Sequence, residues 1–282
     1  MLWSHRCTRC TVPRAATVLV TLAIVLGAPA AGQAQSGRAD LAKARGHYNQ
    51  RQFDEAIAVA SSARRFADSA DAASIVLARA HLERYRERAD PSDLSAAREV
   101  LGSIRAGGLD TRDQVELLLA VGESLFLEDD FGAAATIFES GLTHATAADP
   151  LLAEAILEWW GSAVERQAGS LAREPRTAVF RRLAERMREE LAKNPGSGGA
   201  TYWHVVALRG AGEIDRAWDA AVAGWARSKL IGDRAPNLRA DLDRLVLSGI
   251  VPDRVRQLPQ DQRAGAESHF KAEWELVKER WK

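Results

Sequence analysis

Cysteine is almost absent from this 282-residue chain. The two that occur, Cys7 and Cys10, both lie within the first 34 residues. The chain after residue 34 therefore cannot form an internal disulfide, a thiolate metal site or a cysteine nucleophile. Cys7 and Cys10 have the spacing of a redox or zinc half-site, but an apolar run follows them closely. We interpret them as part of a leader segment.

An excess of charge of either sign is also absent. The chain has 38 basic and 38 acidic residues, and without the three arginines of the first 34 residues it has 35 against 38. A nucleic-acid-binding protein normally has a basic stripe and a high pI, so we expect no nucleic-acid partner. Hydrophobic residues make up 46% of the chain, which is enough for a folded core and argues against disorder.

Long apolar runs are absent, since the longest one covers the 13 residues 15–27. A helix needs about 20 apolar residues to span a bilayer. Three arginines precede the run, and Gly32-Gln33-Ala34 follows with the small-x-small pattern of a cleavage site. We predict a signal peptide at 1–34 and a periplasmic or secreted protein with no stable membrane span after cleavage. An uncleaved N-terminal anchor and cleavage near Ala28-Pro29-Ala30 are the alternatives.

Catalytic motifs are absent as well. The chain contains no phosphate-binding loop, HExxH, GxSxG or EF-hand pattern. Gly122-Glu123-Ser124 begins like a nucleophile elbow but lacks its closing glycine. His47 and His81 occupy equivalent repeat positions, but two histidines without a third ligand are too few for zinc. We therefore expect hydrogen-bonded histidines, no metal, no cofactor and no enzymatic activity.

What the chain does contain is a repeated small–large–small pattern. Small residues allow two helices to approach closely, and larger ones fill the space between neighbouring helix pairs. The clearest copy, about 115–148, has Gly122, Leu125, Phe131, Ala134, Phe138 and Gly141. A first copy has Ala44, His47, Phe53, Ala56, Ala60 and Ala63. A late copy has Val205, Leu208, Gly212, Ile214, Ala217, Ala221 and Gly224. A second copy starts at Leu77, Ala78 and His81 and is interrupted at 86–92.

These positions resemble the tetratricopeptide repeat (TPR), and the chain is similar to exported bacterial members of that family. The resemblance implies an all-α, right-handed solenoid of antiparallel helical hairpins with a C-terminal helical cap. We predict TPR-like repeats over 35–193, with a degenerate fourth hairpin whose loop lies around 169–177. A turn or hinge follows at 194–199. A further TPR-like repeat is expected over 200–231 and capping helices over 232–282.

In this family the first helix of each hairpin lines a concave groove. Repeat positions 5, 9 and 12 usually point into that groove, and arginine and aromatic residues carry binding energy at interfaces. The resemblance thus implies a groove for a protein or peptide that includes Arg45, Tyr48, Arg79, Leu82, Glu123, Phe126, Tyr202 and Arg209. Leu41 and Val76 stand where a chaperone-binding carboxylate clamp needs polar residues, so that specialised function is not implied.

Two functions from different classes remain open. The first is a non-enzymatic exported scaffold that binds its partner on the concave face and, by analogy alone, serves cell-envelope assembly. Self-association through an uncapped end is a further expectation. The second is a carbohydrate or cell-wall binding protein or enzyme, which would use the tryptophan-rich C-terminal half. Glu154 and Glu158 are the acid/base pair for that case. Adjacent Trp159 and Trp160 cannot share one helix face, so one should face a groove or a covering helix.

Overall fold

The computed structural model describes residues 29–145 and 149–282, with side chains from residue 36 onward. Most of the predicted signal peptide, residues 1–28, lies outside the described residues. All regular structure in the described part of the chain is helical. The helices are α1 (Pro29–Asn49), α2 (Phe53–Ala63), α3 (Ala70–Arg88), α4 (Pro91–Gly102), α5 (Thr111–Leu127), α6 (Phe131–His144), α7 (Pro150–Gly169), α8 (Arg173–Lys193), α9 (Gly198–Gly210), α10 (Ile214–Arg227), α11 (Ala235–Leu245), α12 (Val251–Gln257) and α13 (Ala266–Arg280).

The order of helix contacts follows the order of the chain. From α1 to α10, each helix packs against the next one along the sequence. The odd-numbered helices also contact each other in succession, from α1 through α3, α5, α7 and α9 to α11. We call this series the odd-helix row. Because its members lie side by side, residues far apart in the sequence meet across it.

Most of the helices in the middle of the chain begin at a capping side chain. A side-chain oxygen at the N-cap accepts a backbone N–H of the first turn in α4, α5, α6, α7 and α9, where the caps are Asp90, Asp110, Asp130, Asp149 and Ser197. Such a bond satisfies one of the N–H groups that a helix start leaves without a partner. These capping side chains, four aspartates and one serine, therefore help to determine where the five helices begin.

The loop predicted around 169–177 is shorter in the structure. It consists of residues 170–172, because α7 continues to Gly169 and α8 already begins at Arg173. Pro175 is thus in the first turn of α8, where its missing N–H costs nothing and its fixed φ suits a helix. The turn predicted at 194–199 also ends earlier, since Gly198 and Gly199 are the first residues of α9.

Small residues, both in the repeat pattern (Gly122) and outside it (Gly161), mark places where helices approach closely. A Cβ on Gly122 would lie 2.3 Å from Cε1 of Phe138, and one on Gly161 would lie 2.1 Å from Cδ2 of Trp203. The repeat alanines are fully buried, among them Ala44, Ala56, Ala78, Ala134 and Ala217. One continuous core runs from α5 to α13, and a smaller cluster lies among α1, α2, α3 and α4.

The histidines at equivalent repeat positions are held by side-chain hydrogen bonds. The Nδ1 atom of His81 lies 2.7 Å from Oδ1 of Asp93, and that of His47 lies 2.6 Å from Oε1 of Gln52. Asp93 is 2% exposed and also accepts three bonds from Arg84. This cluster joins α3 to α4, and it occupies both carboxylate oxygens of Asp93.

His204, on α9, makes stability depend on pH. Burial lowers its pKa to about 4, and the positive charges of Arg227, Arg216 and Arg188 act in the same direction. Between pH 6.5 and 4, His204 is therefore protonated in the unfolded chain, where its pKa is near 6.5, but neutral in the folded chain. The native protein should thus lose stability as the pH falls over that range, and His204→Gln should reduce this loss by about 2 kcal/mol. Urea unfolding at pH 7 and pH 4.5 measures this, with the exposed His144→Gln as control. An equal loss in both variants would contradict the assignment.

Candidate binding surface

The eight predicted groove residues lie on four helices of the odd-helix row. Arg45 and Tyr48 are on α1, Arg79 and Leu82 on α3, Glu123 and Phe126 on α5, and Tyr202 and Arg209 on α9. The structure joins Tyr48, Arg79 and Glu123 in one cluster across α1, α3 and α5, and it places Tyr202 beside a separate cleft. The cluster and the cleft therefore offer different surfaces to a partner.

Arg45 is neutralised within the chain. Its guanidinium forms an ion pair with Asp113 and lies 3.7 Å from Oε2 of Glu116, both on α5. Arg112 shares the second carboxylate, with its Nε 3.1 Å from Oε1 of Glu116. Burial raises the pKa of Asp113, and the positive charge of Arg45 opposes that rise. Arg45 was expected to face a partner, but its counter-ions come from α5 of the same chain.

Arg79 is neutralised in the same way and lies deeper. Its Nη2 is 3.4 Å from Oε1 of Glu123, and its guanidinium lies 4.8 Å from the centre of the Tyr48 ring. Glu123 is 1% exposed. Burial raises the pKa values of Glu123 and Tyr48. Burial lowers the pKa of Arg79, but the charges of Glu123 and of its other acidic neighbours, with the hydrogen bond to Glu123, together raise it above its ordinary value. Glu123 is therefore an internal counter-ion, not a groove residue.

Leu82 and Phe126 do not form an open apolar wall. Leu82 is 1% exposed, so its assignment to the groove was wrong: the side chain is core. Phe126 is half-buried, with its ring centre 5.1 Å from that of Trp159 in an edge-to-face contact. The guanidinium of Arg86 lies 4.9 Å from the centre of the Trp159 ring. Trp160 is 3% exposed. Trp159 is thus the partly exposed member of the pair, packed against Phe126 and under Arg86.

Tyr202 and Arg209 remain partly accessible. Arg209 donates to Oδ2 of Asp253 at 2.7 Å, and its guanidinium lies so close to Gly249 that a Cβ there would be 2.8 Å from Cζ. The ring of Tyr202 meets Trp203 edge to face at 5.3 Å. Burial raises the pKa of Tyr202, and neighbouring carboxylates add to the rise. Tyr202 also borders an open cavity.

That cavity, which we call the α7–α9–α11 cleft, has a volume of about 260 Å³. It is lined by Glu154, Glu158, Gly198, Gly199, Tyr202, Ile231, Arg234, Asn237, Leu238 and Asp241. The backbone N–H of Gly199 donates to Oε2 of Glu154 at 3.0 Å, and Nε1 of Trp203 donates to Oε2 of Glu158 at 3.1 Å. Burial raises the pKa of Glu158, which the bond from Trp203 opposes. Both carboxylates approach Gly199, where a Cβ would lie 3.2 and 3.3 Å from them.

The sequence pointed to Tyr202 and to two acidic members of this cleft, and it missed the others. Glu154 and Glu158 were singled out because they lie one helical turn apart. Arg234, Asn237 and Asp241 belong to the segment interpreted only as a cap. No local pattern identifies them, since they reach the cleft through the contact between α9 and α11.

The tryptophans do not line the cleft. Five of them are less than 9% exposed and belong to the core, namely Trp160, Trp203, Trp218, Trp225 and Trp274. Trp281 is 43% exposed at the end of the chain, away from the cleft-lining residues. These five rings fill the space between helices, so they do not form the aromatic-lined groove that the carbohydrate alternative would use.

Residues 29–145 and 149–282 offer neither a metal-binding cluster nor a membrane-spanning helix. Over these ranges, no group of three or more histidine, cysteine, aspartate or glutamate side chains is arranged to hold a metal ion. No described helix combines the length and apolar character that crossing a bilayer requires.

Comparison with known proteins provides no relative. No family model matches the chain, and neither a curated protein nor a solved structure is detectably similar to it. The case for a family and a function therefore depends on the repeat pattern and on the geometry of the cleft.

Proposed function

We propose that the protein is an exported, non-enzymatic TPR-like scaffold that binds a peptide or protein segment. In this proposal the helical hairpins form a right-handed solenoid, and the odd-helix row lines its concave face. The repeat pattern supports this, because its small residues coincide with close helix contacts such as that of Gly122 with Phe138. The succession of contacts among odd-numbered helices supports it as well.

The binding site that we propose is the α7–α9–α11 cleft. The observation that supports this site is a difference between the first helices of the odd-helix row and α9. Arg45 and Arg79 are already paired with carboxylates of α5 and border a recess of only about 40 Å³, whereas Tyr202 borders an open cavity of about 260 Å³. A cavity of this size accommodates one or two side chains of an extended segment. The hydrogen-bonding groups around it would orient the backbone of that segment.

A peptide library displayed on phage, selected against the chain from residue 35 onward, tests the proposed site. Selected peptides should bind at least tenfold more weakly to Tyr202→Ala and to Asp241→Lys than to the native chain. The first change removes the partly exposed ring, and the second reverses a charge at the cleft. Fluorescence anisotropy with the selected peptides measures both.

Glu189→Lys is the matched control, because Glu189 is exposed on α8 and does not line the cleft. It makes the same change in net charge as Asp241→Lys and should leave binding unaltered. Circular dichroism confirms that each variant has kept its helices. Peptides that bind all four proteins equally would place the site elsewhere and refute the proposal.

Export to the periplasm or secretion, and a role in cell-envelope assembly, are parts of the same proposal. They are supported by the basic residues, the apolar run 15–27 and the small-x-small pattern at 32–34. The envelope role is an analogy with other exported scaffolds of the TPR family.

A carbohydrate or cell-wall ligand is the second candidate, and one observation favours it. The carboxylates of Glu154 and Glu158 converge at Gly199 on the wall of the cleft, where they would accept hydrogen bonds from sugar hydroxyls. The burial of five tryptophans counts against it. Soluble cell-wall fragments in the same anisotropy assay, as competitors of the peptide, distinguish the two. Competition that Glu158→Gln abolishes would favour the carbohydrate.

A further inference from the structure

The C-terminal helix α13 is attached to the rest of the fold by few side chains. Of its 15 residues, Trp274 is the one that is buried. Phe270, Val277 and Lys278 are half-buried, and most of the others are exposed. The attachment of this helix is therefore concentrated in one ring and the polar contacts around it.

These contacts form a docking groove on α10, α11 and α12. The Trp274 ring meets Trp218 and Trp225 edge to face, with ring centres 5.8 and 5.4 Å apart. Its Nε1 donates to Oδ1 of Asp243 at 2.8 Å, and Nζ of Lys278 lies 2.9 Å from the same oxygen. A single carboxylate on α11 thus recognises two positions of α13 that are four residues apart.

Two arginines complete the groove. The guanidinium of Arg254 lies between two rings, 4.5 Å from the centre of Trp218 and 4.2 Å from that of Phe270. It also donates to Glu273 at 3.2 Å. Arg239 donates to the backbone carbonyl of Trp281 at 2.8 Å. The groove therefore matches the charges and the rings of α13 along its length.

The connection to α13 has no buried anchor. Every residue from 259 to 265 is exposed, and Gly265 has a φ of 78° that only glycine adopts without strain. When α13 leaves the groove, the connection would therefore lose no contact with the core. The eight residues 258–265 span roughly 26 Å when extended, at about 3.3 Å each. That is enough to carry α13 to the groove of an adjacent molecule.

We propose that α13 exchanges between two copies of this chain, and that each copy places it in the groove of the other. The exchanged helix makes the same contacts as the helix in place, so the two arrangements differ mainly in the connection and in the entropy of association. The occupant is a second copy because the groove matches the spacing of Phe270, Glu273, Trp274 and Lys278 in this chain. Domain exchange is independent of the binding proposed for the α7–α9–α11 cleft.

A pair of charge-reversed variants tests the exchange. In Asp243→Lys the introduced lysine faces Lys278 of the same chain, and in Lys278→Glu the introduced glutamate faces Asp243 of the same chain. When the two variants are mixed, reciprocal exchange places the introduced lysine opposite the introduced glutamate, and the native Asp243 opposite the native Lys278. Native mass spectrometry should show the heterodimer at least tenfold enriched over either homodimer. The control is the double variant, in which the introduced lysine faces the introduced glutamate of the same chain. Mixed with either single variant, it should show no such enrichment of the heterodimer.

A second measurement leaves the docking contacts of α13 unchanged, so it applies even if a charge-reversed variant fails to fold. The chain has no cysteine after residue 34, so one label is attached at Lys282→Cys and another at Asp219→Cys, both exposed positions. Energy transfer between the two labelled populations should rise with concentration and fall when unlabelled chain is added. Chains that remain monomeric in the mixture and show no transfer over days, at up to about a millimolar, would overturn the proposal.

Discussion

Replacing Gly161 with alanine is expected to destabilise the protein by about 3 kcal/mol. The added Cβ would lie 2.1, 2.4 and 2.5 Å from Cδ2, Cε2 and Cγ of Trp203. That ring is 5% exposed, and its Nε1 is bonded to Glu158 at 3.1 Å, so it cannot rotate away without losing a hydrogen bond. The contact joins α7 to α9, and the change would force the two helices apart. Urea unfolding followed by circular dichroism measures the loss.

Gly169→Ala is the matched control for this substitution. Gly169 is also in α7, and nothing lies within 4 Å of a Cβ built there. Alanine has the higher helix propensity, so this variant should be equal in stability or more stable by up to about 1 kcal/mol. If both variants lost the same amount of stability, the loss would not come from the contact with Trp203, and our account of the close α7–α9 packing would be wrong.

Replacing Trp274 with alanine is expected to cost about 3–5 kcal/mol. The side chain is fully buried between Trp218 and Trp225, and its Nε1 donates to Asp243. Its removal leaves a cavity the size of an indole and exposes two further rings. The exposed rings should also promote self-association, which light scattering at increasing concentration detects.

Trp281→Ala is the control for the second substitution, because it removes the same side chain at the end of the same helix. Trp281 is 43% exposed, and the contact it makes with Arg239 is through its backbone carbonyl, which alanine retains. Its loss should change the free energy of unfolding by less than about 1 kcal/mol. Near-equal effects of the two substitutions would show that α13 is not anchored at Trp274.

The helices of this protein were predictable because their signals are local. The positions of Asp149 and Pro150 indicate where α7 begins, and a side-chain oxygen of Asp149 does accept the N–H of Leu152. Gly122 and Phe138 were expected to pack because both belong to the repeat pattern. The loop of residues 170–172 was missed because Pro175 can interrupt a helix or occupy its first turn, and the sequence alone does not distinguish these cases.

The candidate site was only partly predictable, because its residues meet across long sequence distances. Arg45 and Asp113 are 68 residues apart, and Glu154 and Gly199 are 45 apart. A repeat position predicts the direction in which a side chain points, but not what the next helix places opposite it. Arg79 was expected to face a partner, and α5 instead provides Glu123. Leu82 was expected in the groove, and the packing of adjacent helices buries it.

The amino-acid sequence by itself determined that the chain is helical, where most helices begin and which small residues allow two helices to approach. Each of these depends on capping, propensity or spacing within a few turns. Tertiary structure alone decided which charges are neutralised, which tryptophans are core and where a cleft remains open. Desolvation and ion pairing depend on the neighbours that folding brings within a few ångströms, and those neighbours come from helices remote in the chain.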